Sequence, residues 1–405
     1  VSIEISAEPL NEAVLLAACA QAASSTASLS GSAEISMLTC APGQAIWTHY
    51  GHSAIRIHDP EKGIDLCFNY GLFNFNAPNF AGRFISGQTD YLLGYCRTAT
   101  FIEDYRSEGR SIHQQTLNLS ATEKEALWQA LRENAKKENR QYRYNFFYDN
   151  CATRARKIVE RNIEGKVCYD SCLLYPSLRA SLKHYTASHP WADFGISFLI
   201  AAEADRPASF SDLLYAPGEM QIALQTASIC SGDSLRPLVK SSCDLLSFPN
   251  SQTASSLDKN HPKNKIIDSV FASMCLLLAL NLLLMFFERK KRKKCFPIDI
   301  FLYLIAGVSG LLLCYLALYS QHPAVHHNWL ILWLQPLHLC YAIALCFPAF
   351  RKSKIAPAYA QINSLLCLLM IIAAIIVPQH IHPACWPLVA IFVLRSLAYV
   401  PPKSY

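Results

Sequence analysis

Five apolar segments in the last third of the chain constrain its fold more than any other feature. They cover about residues 266–287, 298–319, 329–350, 359–378 and 383–400. Each approaches the roughly 20 residues that a helix needs to cross the hydrocarbon layer of a membrane. Nearly all long apolar runs of the 405-residue chain follow Lys265, so we expect a water-exposed part followed by a membrane part.

Basic residues between these segments predict their orientation. Arg289–Lys294 follows the first segment, Arg351–Lys354 the third and Lys403 the fifth, whereas residues 321–328 and 379–382 contain no Lys or Arg. Loops rich in Lys and Arg stay on the cytoplasmic side, so the chain before the first segment should lie outside the cytoplasm. The modest net charge of +6 owes much to the first of these runs, and we expect no nucleic-acid partner.

Composition divides the chain into four parts. We predict a leader-like segment at 1–33, a globular extracytoplasmic domain at 34–230, a linker at 231–264 and a transmembrane domain at 265–405. The leader contains Leu16-Ala17-Ala18-Cys19, which has the form of a lipobox, yet acidic residues stand where a secretory signal is positively charged. Lipidation of Cys19 and an unmodified leader are therefore both left open.

Sixteen cysteines raise the question of disulfides. Seven lie in or beside the apolar segments, and eight lie between Cys40 and Cys243. In the second group Cys168 and Cys172, and likewise Cys230 and Cys243, are close enough in sequence to pair, although sequence does not fix the connectivity. No C-x-x-C motif occurs, which argues against a zinc ribbon.

Local patterns predict a β-hairpin and two helices in the globular part. Ser53–His58 and Ile64–Tyr70 alternate apolar and polar residues around a turn sequence. Ser120–Glu123 has the form of a capping box, so a helix should run from there to about Glu138. A second helix should start at Asn150–Cys151 and run through Val159.

A cysteine and a histidine in these elements are candidates for a nucleophile and its base. Cys151 falls at a predicted helix N-terminus, where Asp149 or Asn150 can cap the helix and Arg154 follows within a turn; these features favour the thiolate. His52 lies on the first strand of the hairpin and is the candidate base. The alternatives are a buried apolar cysteine and a structural histidine.

Other residues compete for, or add to, these roles. His49 and His58 are alternative bases. Of the two, His58 shares a strand face with His52. Asn69 on the second strand could face His52 across the hairpin and orient it, or could be a residue of the strand end.

Three strings carry a family resemblance. Gly51–Arg56, Phe68–Gly71 and above all Asn145–Cys151 resemble the periplasmic domain of the Lnb lipoprotein N-acyltransferase family, over roughly residues 34–230. The five apolar segments resemble the membrane half of that family. The resemblance implies an α+β fold, in which a circularly permuted NlpC/P60 (papain-like) domain is followed by a transmembrane bundle of five helices.

The resemblance also implies roles for individual residues. Cys151 would be the nucleophile, His52 the base and Asn69 a third catalytic residue. We further expect the oxyanion and the site to be supported by Asn150, Arg154 and Tyr50.

The function that follows is transfer of an acyl chain at the bacterial inner membrane, with the N-terminal domain in the periplasm. Cys151 would take the chain from a phospholipid or from the lipoprotein's own ester and pass it to the α-amine of a diacylated lipoprotein. No cofactor is implied. The alternatives are a cell-wall peptide hydrolase, which needs fewer membrane segments, and a non-catalytic membrane protein that senses lipid.

Histidines near the apolar segments are weaker candidates for a functional site. His322, His326 and His327 cluster in one loop, and His380 and His382 in another. Nothing in the sequence makes them converge as a metal site requires, so we expect interfacial polar residues and no metal. His338 inside the third segment is either functional or part of an interhelical hydrogen bond.

Overall fold

The computed structural model describes residues 28–43, 48–73, 78–170, 175–249 and 269–397. It divides into two compact units. Among the described residues, the sheet unit comprises those before Ser177 and those from Ala208 to residue 249. The helical unit comprises the rest, including Ser177–Pro207, a stretch within the 34–230 range predicted for the periplasmic domain. The predicted leader, including Cys19, falls largely outside the described residues.

Two antiparallel sheets form the frame of the sheet unit. The strands are β1 (Glu34–Cys40), β2 (His52–Asp59), β3 (Ile64–Leu72), β4 (Asp90–Arg97), β5 (Ile112–Leu117), β6 (Gln141–Arg143), β7 (Lys166–Cys168), β8 (Ser228–Ser231), β9 (Ser234–Pro237) and β10 (Val239–Leu246). Seven of them form one sheet in the order β10-β5-β1-β2-β3-β4-β6, and β7, β8 and β9 form a small second sheet.

Helices account for most of the remaining described chain. They are α1 (Phe80–Ile85), α2 (Thr98–Ser107), α3 (Ala121–Ala135), α4 (Cys151–Arg161), α5 (Leu178–Thr186), α6 (Pro190–Leu199), α7 (Phe210–Leu213), α8 (Pro217–Thr226), α9 (Ser269–Lys291), α10 (Phe296–Tyr319), α11 (Leu337–Ala344), α12 (Pro348–Arg351), α13 (Ile355–Ile376) and α14 (Cys385–Leu397). Helices α5, α6 and α9 to α14 belong to the helical unit.

The predicted hairpin is confirmed, and it forms the centre of the large sheet. Strands β2 and β3 pair antiparallel with Ile55 opposite Phe68. Compared with the prediction, β2 is one residue longer at each end and β3 is two residues longer at its C-terminal end. Ile55 and Phe68 pack on a core that α3 and α4 complete. The opposite face is buried as well, because Ala54 packs in a second core that includes Phe101 of α2. The face that carries His52 is therefore inside the protein.

The two predicted helices are also confirmed, with their caps. Ser120 and Glu123 form the capping box of α3, which ends at Ala135. Asn150 caps α4, whose first residue is Cys151. These local signals fix where the polypeptide enters both helices.

Neither of the two cysteine pairs that sequence proximity allowed is formed. Cys168 pairs with Cys230, whose Cα atom lies 6.3 Å away and 62 positions further along the chain. Antiparallel pairing of β7 with β8 brings these two cysteines together. Cys243 is reduced and exposed because β10 belongs to the other sheet, and Cys172 lies outside the described residues.

Within its described residues, the helical unit has three helices that are long and apolar enough to cross a membrane. They are α9, α10 and α13, which correspond to the first, second and fourth predicted segments. The third segment instead contains a 3₁₀ turn at Trp329–Leu332 and two short helices, α11, which follows Pro336, and α12, which begins at Pro348. Proline lacks the N–H group that a continuing helix requires. The fifth segment contains α14, which has 13 residues.

Histidines of the helical unit have polar partners within the protein. The ring of His338 accepts from the Tyr359 hydroxyl at 2.7 Å and donates to the carbonyl of Trp333 at 2.8 Å, which is the hydrogen-bonding alternative predicted for it. His382 lies 3.4 Å from a carboxylate oxygen of Asp193. In the part of the chain that the structure describes, no group of three or more His, Cys, Asp or Glu is placed to hold a metal ion.

Candidate active site at the start of helix α4

The position of Cys151 is fixed by the cap of the helix that it begins. The side-chain oxygen of Asn150 accepts from the backbone N–H of Thr153 at 2.9 Å, and the Thr153 hydroxyl accepts from the backbone N–H of Asn150 at 2.8 Å. The residue Cys151 as a whole keeps partial exposure, whereas its sulfur is enclosed. A cysteine in this place lies next to the free N–H groups of the helix start.

Those N–H groups and burial act on the thiol in opposite directions. Burial raises the pKa of Cys151, whereas the nearby backbone N–H groups of Ser53, Ala152 and Cys151 itself favour the thiolate and lower it. Burial is the larger effect, so the pKa stands above its ordinary value. The lowered thiol pKa expected from the sequence is not found. The depth at which the sulfur is enclosed depends on the tertiary structure, and the local pattern of residues does not reveal it.

His52, the first residue of β2, is buried and firmly held. Its Nε2–H donates to the Asn69 side-chain oxygen at 2.5 Å. Asn69 thus contacts the imidazole across the hairpin, as one of the two sequence interpretations expected. With Nε2 carrying the hydrogen, Nδ1 is the basic nitrogen of the ring. Burial lowers the pKa of His52 to about 3, although the bond with Asn69 opposes the shift.

Gly71 marks the place where His52 and Cys151 meet. A Cβ atom built on Gly71 would lie 3.6 Å from Cε1 of His52 and 3.9 Å from Cβ of Cys151. Both side chains therefore border one small space, although 99 positions separate them in the chain. The nearby Ser53 N–H group independently places the thiol beside the residue that follows His52.

His58 and His49, the two alternative bases, are less well placed than His52 to accept a proton from Cys151. His58 lies at the opposite end of β2, in register with Glu34 of β1. Six residues of strand correspond to about 20 Å, too far to share a proton with Cys151. The contacts with Asn69 and the approach to Gly71 belong to His52, whereas His49 precedes the strand.

Two family models together match most of the chain. Residues 21–184 match the Lnb N-terminal periplasmic domain, and residues 263–402 match the Lnb transmembrane domain. The chain belongs to the Lnb family. Searches of curated proteins and of solved structures give no match. This Lnb-family chain is therefore a membrane protein with a periplasmic N-terminal domain, consistent with its three long apolar helices.

The supporting residues expected from the sequence mainly hold the backbone in this Lnb-family site. The side-chain amide of Asn150 donates to the carbonyls of Phe146 and Tyr215 at 2.7 and 2.9 Å, so both its hydrogens are used within the protein. Asn150 consequently positions the helix start, and its amide has no hydrogen left for an oxyanion.

Arg154 and Tyr50 contact and stabilise the residues that precede Cys151. Arg154 binds both oxygens of Asp149 at 2.7 Å, and its guanidinium lies 3.8 Å from the ring centre of Tyr142. The ring of Tyr50 packs edge-on against Phe146 at 4.9 Å between centres. Both contacts stabilise the loop that delivers Cys151.

Sequence reasoning did not single out Ser53, Gly71 or Cys40. Cys40 lies directly opposite His52 on β1, and burial raises the pKa of its thiol to about 12. It is thus a second thiol close to the imidazole, but it lies within a strand and not at a helix start. Gly71 carried a signal, because it ends the Phe68–Gly71 string, and its φ of +106° favours glycine.

Proposed function

We propose that this protein is a membrane-bound thiol acyltransferase that N-acylates the N-terminal diacylglyceryl-cysteine of bacterial lipoproteins. The single observation that carries the proposal is that His52 and Cys151 border the same space at Gly71. Family membership supports it, because the resemblance that led to these residues implies lipoprotein acylation. The acyl chain would be held as a thioester on Cys151 between donor and acceptor.

The first half of the proposed reaction loads the enzyme. His52 Nδ1 takes the proton from the Cys151 thiol as the sulfur attacks the ester carbonyl of a phospholipid or of the lipoprotein itself. Because the pKa of the thiol is raised and that of the imidazole lowered, the resting pair is neutral and the proton moves only during attack. The tetrahedral intermediate collapses, the His52 proton passes to the leaving alkoxide, and a lyso-lipid departs.

Backbone N–H groups can stabilise the negative charge that develops on the ester oxygen during this step. The groups of Ser53 and Ala152 already lie near the sulfur, so they lie close to where the ester oxygen becomes an oxyanion. Preorganised donors of this kind contribute about 3–4 kcal/mol to transition-state stabilisation in acyl transfer.

The second half transfers the chain to nitrogen. The neutral α-amine of the acceptor attacks the thioester carbonyl, and His52 accepts the amine proton. The thiolate leaves and takes that proton back, which regenerates Cys151 and its neutral partner. Two covalent steps replace one difficult direct transfer.

The architecture that we propose for this reaction is a circularly permuted papain-like domain, followed in the chain by five crossings of the bacterial inner membrane. A strand that carries histidine precedes a helix that starts with cysteine, which is the permuted order. Helices α11, α12 and α14 would complete the two crossings that are not single long helices.

The decisive experiment compares lipoprotein N-termini by mass spectrometry in cells that carry wild-type protein, Cys151→Ala or Cys243→Ala. Cys243 is an exposed, reduced cysteine of the same unit and is the matched control. We expect N-acylation to be lost only with Cys151→Ala. Unchanged N-acyl chains together with altered cell-wall peptides in Cys151→Ala would favour the wall hydrolase. Full cellular function of Cys151→Ala would instead favour a non-catalytic lipid sensor.

A further inference from the structure

A basic cavity lies on the helix that presents Cys151. It has a volume of about 310 Å³, and its polar wall is formed by Tyr70, Asn134, Tyr148, Arg154, Lys157 and Arg161. The three basic residues are spaced along one side of α4, at intervals of three and four positions. We infer that this cavity is an anion site that binds the phosphate of a glycerophospholipid acyl donor.

The charges of the wall support an anionic ligand. Arg154 is matched by the carboxylate of Asp149, which also borders the cavity. Lys157 donates to the backbone carbonyl of Tyr148 at 3.0 Å, which leaves two of its hydrogens available. Among the described residues, neither Lys157 nor Arg161 forms a salt bridge. The cavity therefore carries two positive charges that no carboxylate of its wall neutralises.

The neighbouring polar groups do not provide that neutralisation. Glu160, the nearest acid on α4, binds Arg156 at 3.0 Å. The hydroxyl of Tyr70 donates to the side-chain oxygen of Asn134 at 2.6 Å. A guanidinium fork together with an ammonium group is the usual protein ligand set for phosphate oxygens.

The distance between the cavity and Cys151 fits the distance between the phosphate and the ester of a glycerophospholipid. Side chains three positions apart on a helix lie about 5–6 Å apart at Cβ, which is the relation of Cys151 to Arg154. In a glycerophospholipid only the glycerol carbons separate the ester carbonyl from the phosphate. A phosphate held by the ammonium group of Lys157, next to the Arg154–Asp149 pair on the same side of α4, would leave an ester within reach of the sulfur. This inference rests on the proposed function, and it selects a phospholipid over an uncharged ester as donor.

The test uses full-length protein in detergent and two donors with the same acyl chains, a phosphatidylglycerol and a diacylglycerol. We expect Lys157→Gln and Arg161→Gln each to lower the kcat/KM ratio of phospholipid over diacylglycerol about tenfold, through KM for the phospholipid. Lys62→Gln is the matched control, because Lys62 lies in the turn at the far end of the β2–β3 hairpin. An unchanged ratio in the two cavity variants overturns the inference and leaves the role of Cys151 intact.

A binding measurement separates the sources of phosphate and does not depend on transfer. Calorimetry compares inorganic phosphate, glycerol 3-phosphate and a short-chain phosphatidylglycerol on wild-type protein and Arg161→Gln. Binding of the phospholipid that weakens about tenfold in the variant supports the inference even if neither donor is consumed, an outcome that would refute the proposed function alone. Equal binding to both proteins, or a site that takes inorganic phosphate but not the phospholipid, overturns it.

Discussion

The Nε2–H group of His52 donates a hydrogen bond to the side-chain oxygen of Asn69 across the β2–β3 hairpin, at 2.5 Å. Both residues are buried, so water does not compete for this bond. It fixes the ring orientation and leaves Nδ1 as the basic nitrogen. In the proposed mechanism, this hairpin contact therefore determines which ring atom would accept the proton of Cys151.

Replacing Asn69 should impair turnover more than binding. In Asn69→Ala the ring loses its acceptor and can rotate, so we expect kcat to fall about 100-fold with little change in KM. Asn69→Asp keeps an acceptor and should recover much of the loss. Its carboxylate also raises the pKa of His52, so the acid limb of the pH profile should move to higher pH. Equal kcat values and equal profiles in the two variants would contradict a positioning role.

The buried histidine makes stability depend on pH in a defined direction. Burial lowers the pKa of His52 from 6.5 to about 3, so between these values the unfolded chain binds a proton that the folded protein does not. Stability therefore falls as the pH drops below about 6.5, and this contribution levels off near pH 3.

Thermal unfolding in detergent between about pH 7 and pH 4 measures this effect. We expect the difference in Tm between wild type and His52→Gln to become smaller as the pH falls, because the variant lacks the titrating group. His58→Gln, changed at the other end of the same strand, should keep the wild-type slope. Parallel pH dependence of all three proteins would mean that His52 is not a buried neutral base.

The disulfide should contribute substantially to the stability of the sheet unit. Cys168 and Cys230 close a loop over 62 positions, and loops of this size correspond to about 2–4 kcal/mol. Cys168→Ser/Cys230→Ser should lower Tm, and a reductant should lower the Tm of the wild type but not of the double variant. Cys243→Ser serves as the control. A reductant that leaves the wild-type Tm unchanged would speak against this disulfide.

Local signals made a large part of the site predictable. The alternation of β2 and β3 and the turn between them put Asn69 on the strand beside that of His52, so that contact between the two side chains was one of the two interpretations that the sequence allowed. The cap at Asn150 likewise placed Cys151 at the first position of α4. In each case the information lay within about 20 residues of chain, where spacing alone determines which side chains share a face.

Features that depend on distant parts of the chain were not predictable in this way. The pKa of Cys151 depends on how tightly the sheet and α4 enclose the sulfur, so the charge pattern around it suggested the wrong direction. The partner of Cys168 was set by the pairing of β7 with β8, strands that are 60 residues apart in sequence. Hydropathy found the third apolar segment but not the interruptions at Pro336 and Pro348.

Gly71 offers the sharpest test of the site, because a second glycine of the same hairpin provides a control. Gly71 and Gly63 both have positive φ, +106° and +62°, so alanine strains the backbone at either position by about 1–3 kcal/mol. Only at Gly71 would the added Cβ lie next to His52 and Cys151, whereas at Gly63 it meets nothing within 4 Å. We expect Gly71→Ala to lower kcat/KM at least about tenfold more than Gly63→Ala, because the methyl group occupies the space that the ester must enter. The rate at which iodoacetamide alkylates Cys151 should fall in the same order, and this measurement needs no substrate. If the two variants lose similar stability and also react at the same rate, the space at Gly71 is not the entrance to the thiol, and the pairing of His52 with Cys151 loses its main geometric support.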